Sequence, residues 1–570
     1  MGFVEPDLPV VDMAEWSKGT RAERIAPMAR HWAEVGFGTP VVMHLAYVGK
    51  TLLYILGGWL IMLSTTGIDG FLDIGRWWSE PIVFEKAVLY TLLFEVIGLG
   101  CGFGPLNNRY LPPFGSILYW LRPKTIRLPP WPRIPLTRGT DRTPVDVALY
   151  AALLVATAVA LFSSGTGPLP ALHTTVGLLP DWEIALVLGL LAVLGLRDKA
   201  IFLAARGEVY APMALGFLFG ADALLAAKLV FMVIWMGAAV SKLNRHFPFV
   251  ISTMMSNNPL LRGKSLKRMF FENFPGDLRP GRPSRVVAHA ATAVELCVPL
   301  VLFFVHGGLP TAIAATVMVC FHLGILTAIP MGVPLEWNVF MIFGVLTLFV
   351  AHADRGLGTV VHPVPVVLLF LVVAGIVVAG NLFPRKISFL PGMRYYAGNW
   401  DTTLWCVKAS AAAKISANIL AIASMPQAQL ERVYGEDRMP ILMYLGYAFR
   451  AMNTHGRALF TLAHRAMAGG SEDDYTLTDG ERICATAIGW NFGDGHMSNE
   501  QLIAALHARC AFEPGEVRVV LLDAQPIHRQ TQRYRLVDAA TGEFEHGYVR
   551  VADMVTRQPW ADDVPVQVFP

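Results

Sequence analysis

The chain has 570 residues, of which 54% are hydrophobic and only 16% are charged. Soluble globular proteins carry about 25% charged residues, so this composition excludes an ordinary soluble protein. The formal net charge is only +3, which gives no reason to expect nucleic acid or another partner recognised by bulk charge.

Charged residues are scarce mainly between residues 40 and 383, where apolar segments of spanning length recur. We expect a polytopic α-helical membrane protein with about nine or ten spans in 41–384. The first six apolar segments and the last are near 42–64, 82–104, 145–162, 184–196, 209–219, 221–241 and 363–383. Segments 209–219 and 221–241 are either one interrupted helix or two crossings. Three more helices lie within 286–353.

The first forty residues are polar, so no cleavable signal peptide is predicted. Helical periodicity over 13–35 brings Trp16, Ile25, Met28 and Trp32 to one face. This N-terminal segment, 1–40, is either an interfacial amphipathic helix on the membrane or a soluble helix packed on the rest of the protein.

Two basic loops, 105–145 and 242–285, indicate the cytoplasmic side by the positive-inside rule. The first interleaves basic and aromatic side chains with proline, which favours a stiff segment lying on anionic lipid headgroups. Its basic and aromatic residues are Arg109, Arg122, Lys124, Arg127, Arg133, Arg138, Arg142, Tyr110, Tyr119, Trp120 and Trp131. A cytoplasmic 242–285 loop requires the region before it to cross the membrane twice.

After residue 384 the composition becomes that of a soluble protein. We expect a linker helix in 385–425, with an alanine-rich helical segment at 404–424, and a soluble α+β domain in 426–570. Two alternating runs from Val517 onward flank the sequence ATGE, which is typical of a β-hairpin. The reduced cysteines and the basic residues at 385, 386 and 394 favour the cytoplasm for this domain. We expect the whole protein in the inner (plasma) membrane.

Motifs of soluble enzymes are absent: the sequence contains no P-loop, G-x-G-x-x-G, H-E-x-x-H or G-x-S-x-G pattern. Six scattered cysteines show neither zinc spacing nor a disulfide framework, and no cofactor is indicated. The loop Gly489–His496 could bind a ligand, although a structural turn is the favoured interpretation.

Glu295 and His322 are the best candidates for chemistry, because an ionisable residue inside a membrane segment is costly unless it has a partner. A short turn at 306–310 makes their helices antiparallel neighbours, and each residue lies roughly 20 Å from that turn. They could therefore meet as a carboxylate–imidazole pair for acid–base work. The alternative is a structural interhelical hydrogen bond.

Five further ionisable residues in the spans are candidate binding residues. Lys50 and Glu95 favour structural pairing, and Glu336 begins a span, where it could be merely interfacial. Asp222 and Lys228 are six residues apart and do not share a helix face, so their partners must come from elsewhere.

The whole chain resembles the actinobacterial transmembrane family catalogued as domain of unknown function 3556. The resemblance rests on FVEPDLPVVD at the N-terminus, on SKLNRHFPFVISTMMSNNP and on GWNFGDGHMSNEQLIAALHARC near the C-terminus. This family implies a membrane protein but no activity.

Residues 222–345 also resemble, more remotely, the horizontally transferred transmembrane superfamily that includes vitamin K-dependent γ-carboxylase. Gly237–Leu243 is similar to its A-G-x-x-K-L helix end, which would make Lys242 the base and place it outside. Glu295 before Pro299 and the step Phe321-His322 match its acid-bearing and Phe-His helices. The usual Trp-x-x-Gly after the lysine is replaced by residues 246–248, and the Phe-Pro-Trp step is only loosely matched at 333–337. Lys242 at a span end could instead be a snorkelling anchor.

Two functions remain open at this point. One is a membrane-embedded enzyme acting on a lipid or quinone, in which Glu295 and His322 handle protons and Lys242 is a base or an anion anchor. The other is a non-enzymatic lipid-handling or scaffolding component of the cell envelope. A transporter is less favoured, because no internal repeat is evident.

Overall fold

Helices make up most of the described chain up to residue 382, and an antiparallel sheet with helices follows. The computed structural model describes residues 2–100, 115–328, 335–387, 391–467, 470, 472–490 and 494–570. The main helices of the first part are α1 Arg21–Val35, α2 Val41–Met62, α3 Pro81–Val96, α4 Pro144–Phe162, α5 Asp181–Arg197, α6 Gly207–Phe217, α7 Ala223–Ser241, α8 Phe247–Asn257, α9 Arg282–Phe304, α10 Gly308–Ala328, α11 Leu335–Gly344 and α12 Pro363–Leu382. A π-helical segment, Val345–Ala351, continues α11.

Among the residues that the structure describes, six helices are long and apolar enough to cross a membrane: α2, α4, α7 with the preceding turn from Gly220, α9, α10 and α12. A span needs about 20 apolar residues, and α3, α5, α6 and α11 are shorter than that. The expected nine or ten spans are therefore not confirmed.

The loops between these helices gather at two opposite ends of the bundle. At one end, Thr66 and Ser164 share a hydrogen bond of 2.7 Å between hydroxyls, and His352 Nε2 lies 2.7 Å from the Ser79 carbonyl oxygen. At the other end, Trp120 Nε1 donates to the Ile488 carbonyl at 3.1 Å. The C-terminal region therefore packs on the end that carries the basic loops.

Helices α6 and α7 are separate antiparallel helices joined by a turn at Gly220–Asp222. Asn244, just after α7, donates through Nδ2 to the Ala397 carbonyl at 3.2 Å, so Lys242 lies at the same end as the C-terminal region. This is the relative placement that charge predicts for the 242–285 loop. It differs from the placement that the carboxylase-like resemblance implies.

The amphipathic helix α1 packs on protein along its apolar face. Met28 and Trp32 are fully buried, and Trp32 Nε1 donates to the Thr253 carbonyl at 3.1 Å. Trp16 makes an edge contact with Tyr444 in the C-terminal region, at a ring-centroid distance of 5.0 Å. The apolar face of this segment is therefore covered by protein.

The basic loop 105–145 behaves only partly as expected; residues 105–114, with Arg109 and Tyr110, lie outside the described residues. Arg142 is buried and forms an ion pair with Asp198 at 2.7 Å, and buried Arg127 lies 3.4 Å from Asp146. The expectation that these two arginines contact headgroups is wrong, because buried acids attract them into the bundle end. Trp131, by contrast, is exposed.

The C-terminal region contains a six-stranded, fully antiparallel sheet. A short hairpin, β1 Phe271–Asn273 and β2 Asp277–Pro280, precedes it in the chain. The sheet strands are β3 Thr402–Lys408, β4 Tyr475–Asp479, β5 Val517–Leu522, β6 Thr531–Asp538, β7 Gly542–Arg550 and β8 Val566–Val568, in the order β4-β3-β5-β6-β7-β8. The predicted hairpin is confirmed, because β6 pairs with β7 across the ATGE turn.

Strand β3 corrects the predicted helical segment at 404–424, since 402–408 is the second strand of the sheet and, within that segment, only Ala409–Asn418 is helical. Every residue of β3 except the last is buried. A strand that is covered on both faces does not alternate between apolar and polar residues. The alanine-rich sequence next to β3 therefore suggested a helix. Around the sheet lie the helices Pro426–Tyr434, Met439–Met452, Thr454–Ala466, Gly480–Ala487 and Glu500–Cys510.

Buried polar contacts join the C-terminal region to the helical bundle. His246, between α7 and α8, lies 2.8 Å through Nε2 from Gln525 Oε1, and Gln525 also exchanges hydrogen bonds with Asn399. Burial lowers the pKa of His246 to about 4. Burial also holds the pKa of His455 well below its usual value. Both imidazoles are therefore neutral in the folded protein.

Acidification should weaken this junction. The unfolded chain takes up a proton at His246 below pH 6.5, whereas the folded chain resists it down to about pH 4. Neutral His246 therefore makes its full contribution to the free energy of unfolding above about pH 6.5. That contribution falls by about 3 kcal/mol as the pH drops toward 4. We expect the melting temperature of the purified protein to fall less over this range in His246→Gln than in the unaltered protein. A matched His546→Gln change at an exposed histidine should leave the pH dependence as it was; an equal effect of both changes would contradict the assignment.

Candidate functional site

A cavity of about 670 Å³ lies where α7, α8, α9, α10 and α11 meet. Its walls are mostly apolar, and three of the predicted site residues, Lys242, Glu295 and His322, lie on them. Val287 on α9 and Gly324 on α10 also line the cavity and are exposed at the bundle surface. The cavity is therefore open beside these two helices.

Lys242 and Glu295 form an ion pair in this cavity. Lys242 follows the end of α7, and its Nζ donates to Glu295 Oε2, in the middle of α9. The two side chains are only 8% and 6% exposed. The ammonium also lies over the ring of Phe247, at 5.2 Å, and near that of Phe321, at 5.8 Å. Lys242 is thus turned inward to its carboxylate and is not a snorkelling anchor.

His322 has different partners from those the sequence suggested. Trp235 Nε1 donates to His322 Nε2 at 3.1 Å, and His322 Nδ1 lies 2.8 Å from Asn338 Oδ1. An indole N–H can only donate, so Nε2 must accept, and the proton of a neutral imidazole is on Nδ1 and is donated to Asn338. The predicted Glu295–His322 pair is therefore wrong, because Lys242 neutralises Glu295 and the imidazole is already bonded at both nitrogens.

Sequence reasoning missed Trp235 and Asn338, although spacing could have found the first. Trp235 precedes Lys242 by seven residues, which is two helical turns and places both on one face of α7. No spacing or motif in the sequence pointed to Asn338. Arg206 and Trp337 line the cavity as well, with the guanidinium 5.3 Å from the indole centroid.

A second buried charge cluster lies on the other side of α11. Lys50 Nζ is 3.1 Å from Glu336 Oε2 and donates to the Gly100 carbonyl at 2.8 Å. Glu95 packs against Gly100, where an added Cβ would lie 2.0 Å from its carboxylate. Glu336 is 1% exposed, so the interfacial interpretation of this residue is wrong. Glu336 and Asn338 are two positions apart on α11, so their side chains point in nearly opposite directions.

Asp222 and Lys228 hold the loop that precedes α12. Asp222 accepts hydrogen bonds from the backbone N–H groups of Val361, at 2.9 Å, and His362, at 2.7 Å. Lys228 Nζ donates to the carbonyls of His352, at 2.8 Å, and Arg355. The expectation of separate partners is confirmed. Both residues lie at the end of the bundle away from the cavity's ion pair.

The Gly489–His496 loop is described only in part, because residues 491–493 lie outside the described residues. His496 Nε2 lies 2.7 Å from Asp401 Oδ2, a contact that ties the end of the loop to the start of β3. Among the residues that the structure describes, no group of three histidine, cysteine, aspartate or glutamate side chains could hold a metal ion.

The cavity's ion pair should behave as a desolvated pair. Removing one partner alone, as in Lys242→Met or Glu295→Leu, leaves a buried charge and should cost about 3–5 kcal/mol of stability. The double variant replaces both charges with apolar groups and should recover most of that loss. Thermal unfolding in one detergent compares the four proteins. Single variants as stable as the unaltered protein would show that the pair is solvated.

A search of curated proteins and a search of solved structures give no match to this chain. The carboxylase-like resemblance is therefore without support from either comparison. A family model described as "Transmembrane protein of unknown function (DUF3556)" matches residues 1–569. Because the match covers nearly the whole chain, the protein belongs to this family of transmembrane proteins.

Proposed function

We propose that this protein is a membrane-embedded enzyme that acts on an amphiphilic molecule, a lipid or a quinone, bound in the cavity. The observation that carries the proposal is the buried Lys242–Glu295 pair inside an apolar cavity that is open at the bundle surface. A purely structural ion pair needs no empty volume beside it.

The size and lining of the cavity favour an amphiphile. Pockets for small molecules are about 300–1,000 Å³ and are mostly apolar with a few polar groups that fix orientation. This one measures about 670 Å³, and its charged groups are few. A hydrocarbon chain or prenyl tail would contact residues such as Ile251, Met254 and Val294, while a polar head would reach Lys242.

The proposed chemistry uses Lys242 and Glu295 directly. A carbonyl, enolate or acidic head that approaches Lys242 competes with Glu295 for the ammonium, so protonated Lys242 is an anion anchor and the released Glu295 carboxylate can accept a proton from the bound molecule. Lys242 can be a base only as the neutral amine, which forms when its ammonium gives the proton to Glu295. A base role for Lys242 is also what the carboxylase-like resemblance implies. His322, bonded at both nitrogens, is better suited to fixing Trp235 and Asn338 as cavity walls than to transferring protons.

We further propose the plasma membrane as the location, with the C-terminal region in the cytoplasm. The shorter helices α3, α5, α6 and α11 would cross together with the six longer ones, giving ten spans. Support comes from the basic loops, which share one end of the bundle with the C-terminal region, as the positive-inside rule predicts for a cytoplasmic face.

The alternative of a scaffold or lipid-handling component makes a different prediction. Its support is the exposed edge of the first basic loop, where Trp131 and Leu136 lie beside Arg133 and Arg138 and would contact anionic headgroups. In that case the loop and the C-terminal region matter for function, and isosteric changes at Lys242 or Glu295 do not.

A cavity-filling substitution tests the proposed ligand. Gly324 lines the cavity and has open space where a Cβ would be, so Gly324→Leu should fit its helix and occupy ligand volume. We expect mass spectrometry of the gently extracted protein to find a stoichiometric lipid or quinone. Occupancy should be at least tenfold lower in Gly324→Leu, because about 1.4 kcal/mol of lost affinity suffices for that factor.

Gly375→Leu is the matched control, because Gly375 also has open space at its Cβ position but lies on α12, away from the cavity. It should keep full occupancy. Bulk phospholipid alone in the unaltered protein, or equal occupancy in both leucine variants, would exclude the cavity as the ligand site. Normal conversion of the bound molecule by a folded Glu295→Gln protein would exclude the enzymatic role.

A further inference from the structure

A second, smaller cavity of about 210 Å³ lies where the last span meets the C-terminal region. One wall is the end of α12 and the residues after it, Leu382–Lys386, and the other is the segment 523–533, which leads into β6. The two walls are joined directly, because the Ile527 N–H donates to the Asn381 carbonyl at 3.0 Å. The cavity is therefore built by two parts of the chain that are far apart in sequence.

This cavity is strongly basic. Arg385, Lys386, Arg529 and Arg533 line it, together with His528. The acid in its wall, Asp523, is already bonded by Arg535 at 2.8 Å.

Little neutralises these cations. Arg385 has a loose ion pair with Glu500, at 3.7 Å. For Lys386, Arg529 and Arg533, the described residues provide no ion pair, and all three side chains are exposed to an incoming anion. Several like charges around so small a volume repel one another, and a bound anion removes that cost.

The chemistry of the cations and the position of the cavity indicate the kind of anion. Arginine pairs with phosphate through two parallel N–H···O bonds, and two arginines beside a lysine suit a phosphate group. The cavity directly follows the last span, and Phe383 and Ile527 are exposed beside it, 55% and 38% respectively. Apolar side chains next to basic ones at a span end are typical of the headgroup level of a membrane.

We propose that this cavity binds a phosphate group at the level of the lipid headgroups. A phosphate monoester or diester fits the volume, whereas the acyl chains of a lipid would have to lie outside, along Phe383. The group could belong to an anionic phospholipid or to a soluble phosphate compound. In either case it would bridge the end of α12 and the 523–533 segment. This site is independent of the cavity at Lys242 and of the function proposed for it.

The test uses the full-length protein in micelles of dodecyl maltoside, a detergent that carries no phosphate. Inorganic phosphate, glycerol phosphate and dioctanoyl phosphatidic acid are titrated separately at constant ionic strength, and calorimetry measures each affinity. We expect at least one of them to bind with one-to-one stoichiometry. Arg529→Gln and Arg533→Gln should each bind about tenfold more weakly, the factor that corresponds to losing one charge-assisted hydrogen bond.

Arg432→Gln is the control, because it removes one exposed arginine charge from the same region at a position outside the cavity. Binding of the short-chain lipid alone assigns the phosphate to a lipid headgroup, and equal binding of all three compounds assigns it to any phosphate. No saturable binding by the unaltered protein overturns the proposal, as does an equal loss of affinity in Arg432→Gln. Melting temperatures without ligand, expected to be no lower in any of the three variants, show that the fold is intact.

Discussion

The cost of burying charge in an apolar bundle is the constraint on which the arrangement of these helices depends. Several buried charges in the bundle are matched by partners from distant parts of the chain: Lys50 by Glu336, Lys242 by Glu295, and Asp222 by backbone N–H groups at 361 and 362. Leaving one such charge unpaired would cost several kcal/mol. These contacts therefore specify which helices are neighbours, while the apolar contacts, which are less directional, fill the space between them.

Two of these pairs are separated by α11 and have different surroundings. The Lys50–Glu336 pair has protein on all sides, and its lysine is further bonded to the Gly100 carbonyl. The Lys242–Glu295 pair has aromatic rings on one side and an apolar cavity on the other. An ion pair with a purely structural role is best surrounded by protein on all sides, as the Lys50–Glu336 pair is. The second is the one that a ligand can reach, and this difference is the basis for assigning function to it.

Hydropathy predicted the site residues better than it predicted their contacts. Glu295 and His322 could be selected from the sequence because charge in an apolar segment is rare, whereas Lys242 was singled out by the carboxylase-like resemblance; the structure brings all three to one cavity. Their pairing could not be predicted, because depth along two neighbouring helices does not fix which of three nearby groups bond. Trp235 and Asn338 are hydrogen-bonded to the two nitrogens of His322. A tryptophan within a span and an asparagine at the start of one are ordinary, so neither residue stood out in the sequence.

The same limit applies to the rest of the fold. The β6–β7 hairpin was predictable because turn chemistry and alternation are local signals. Strand β3 was not, because it is buried on both faces and its sequence alone does not distinguish it from its alanine-rich surroundings. Arg127 and Arg142 likewise belong to a loop with the composition of a headgroup-binding segment. Their burial is explained only by two acids that folding brings close, Asp146 on α4 and Asp198 just after α5.

Helix α8 joins the cavity to the C-terminal region. Val250 and Met254, one turn apart, line the cavity. Phe249 and Thr253, one position earlier on each turn, lie on a neighbouring face of the helix. Phe249 lies under the buried Arg457 guanidinium at 4.6 Å, and the backbone carbonyl of Thr253 accepts the indole hydrogen bond of Trp32 on α1. A short helix in close contact on both faces moves as a unit, because packed side chains leave no room for independent shifts. Any displacement of the C-terminal region would therefore be transmitted to the wall of the cavity beside Lys242, which gives this region a physical route by which to affect what the cavity binds.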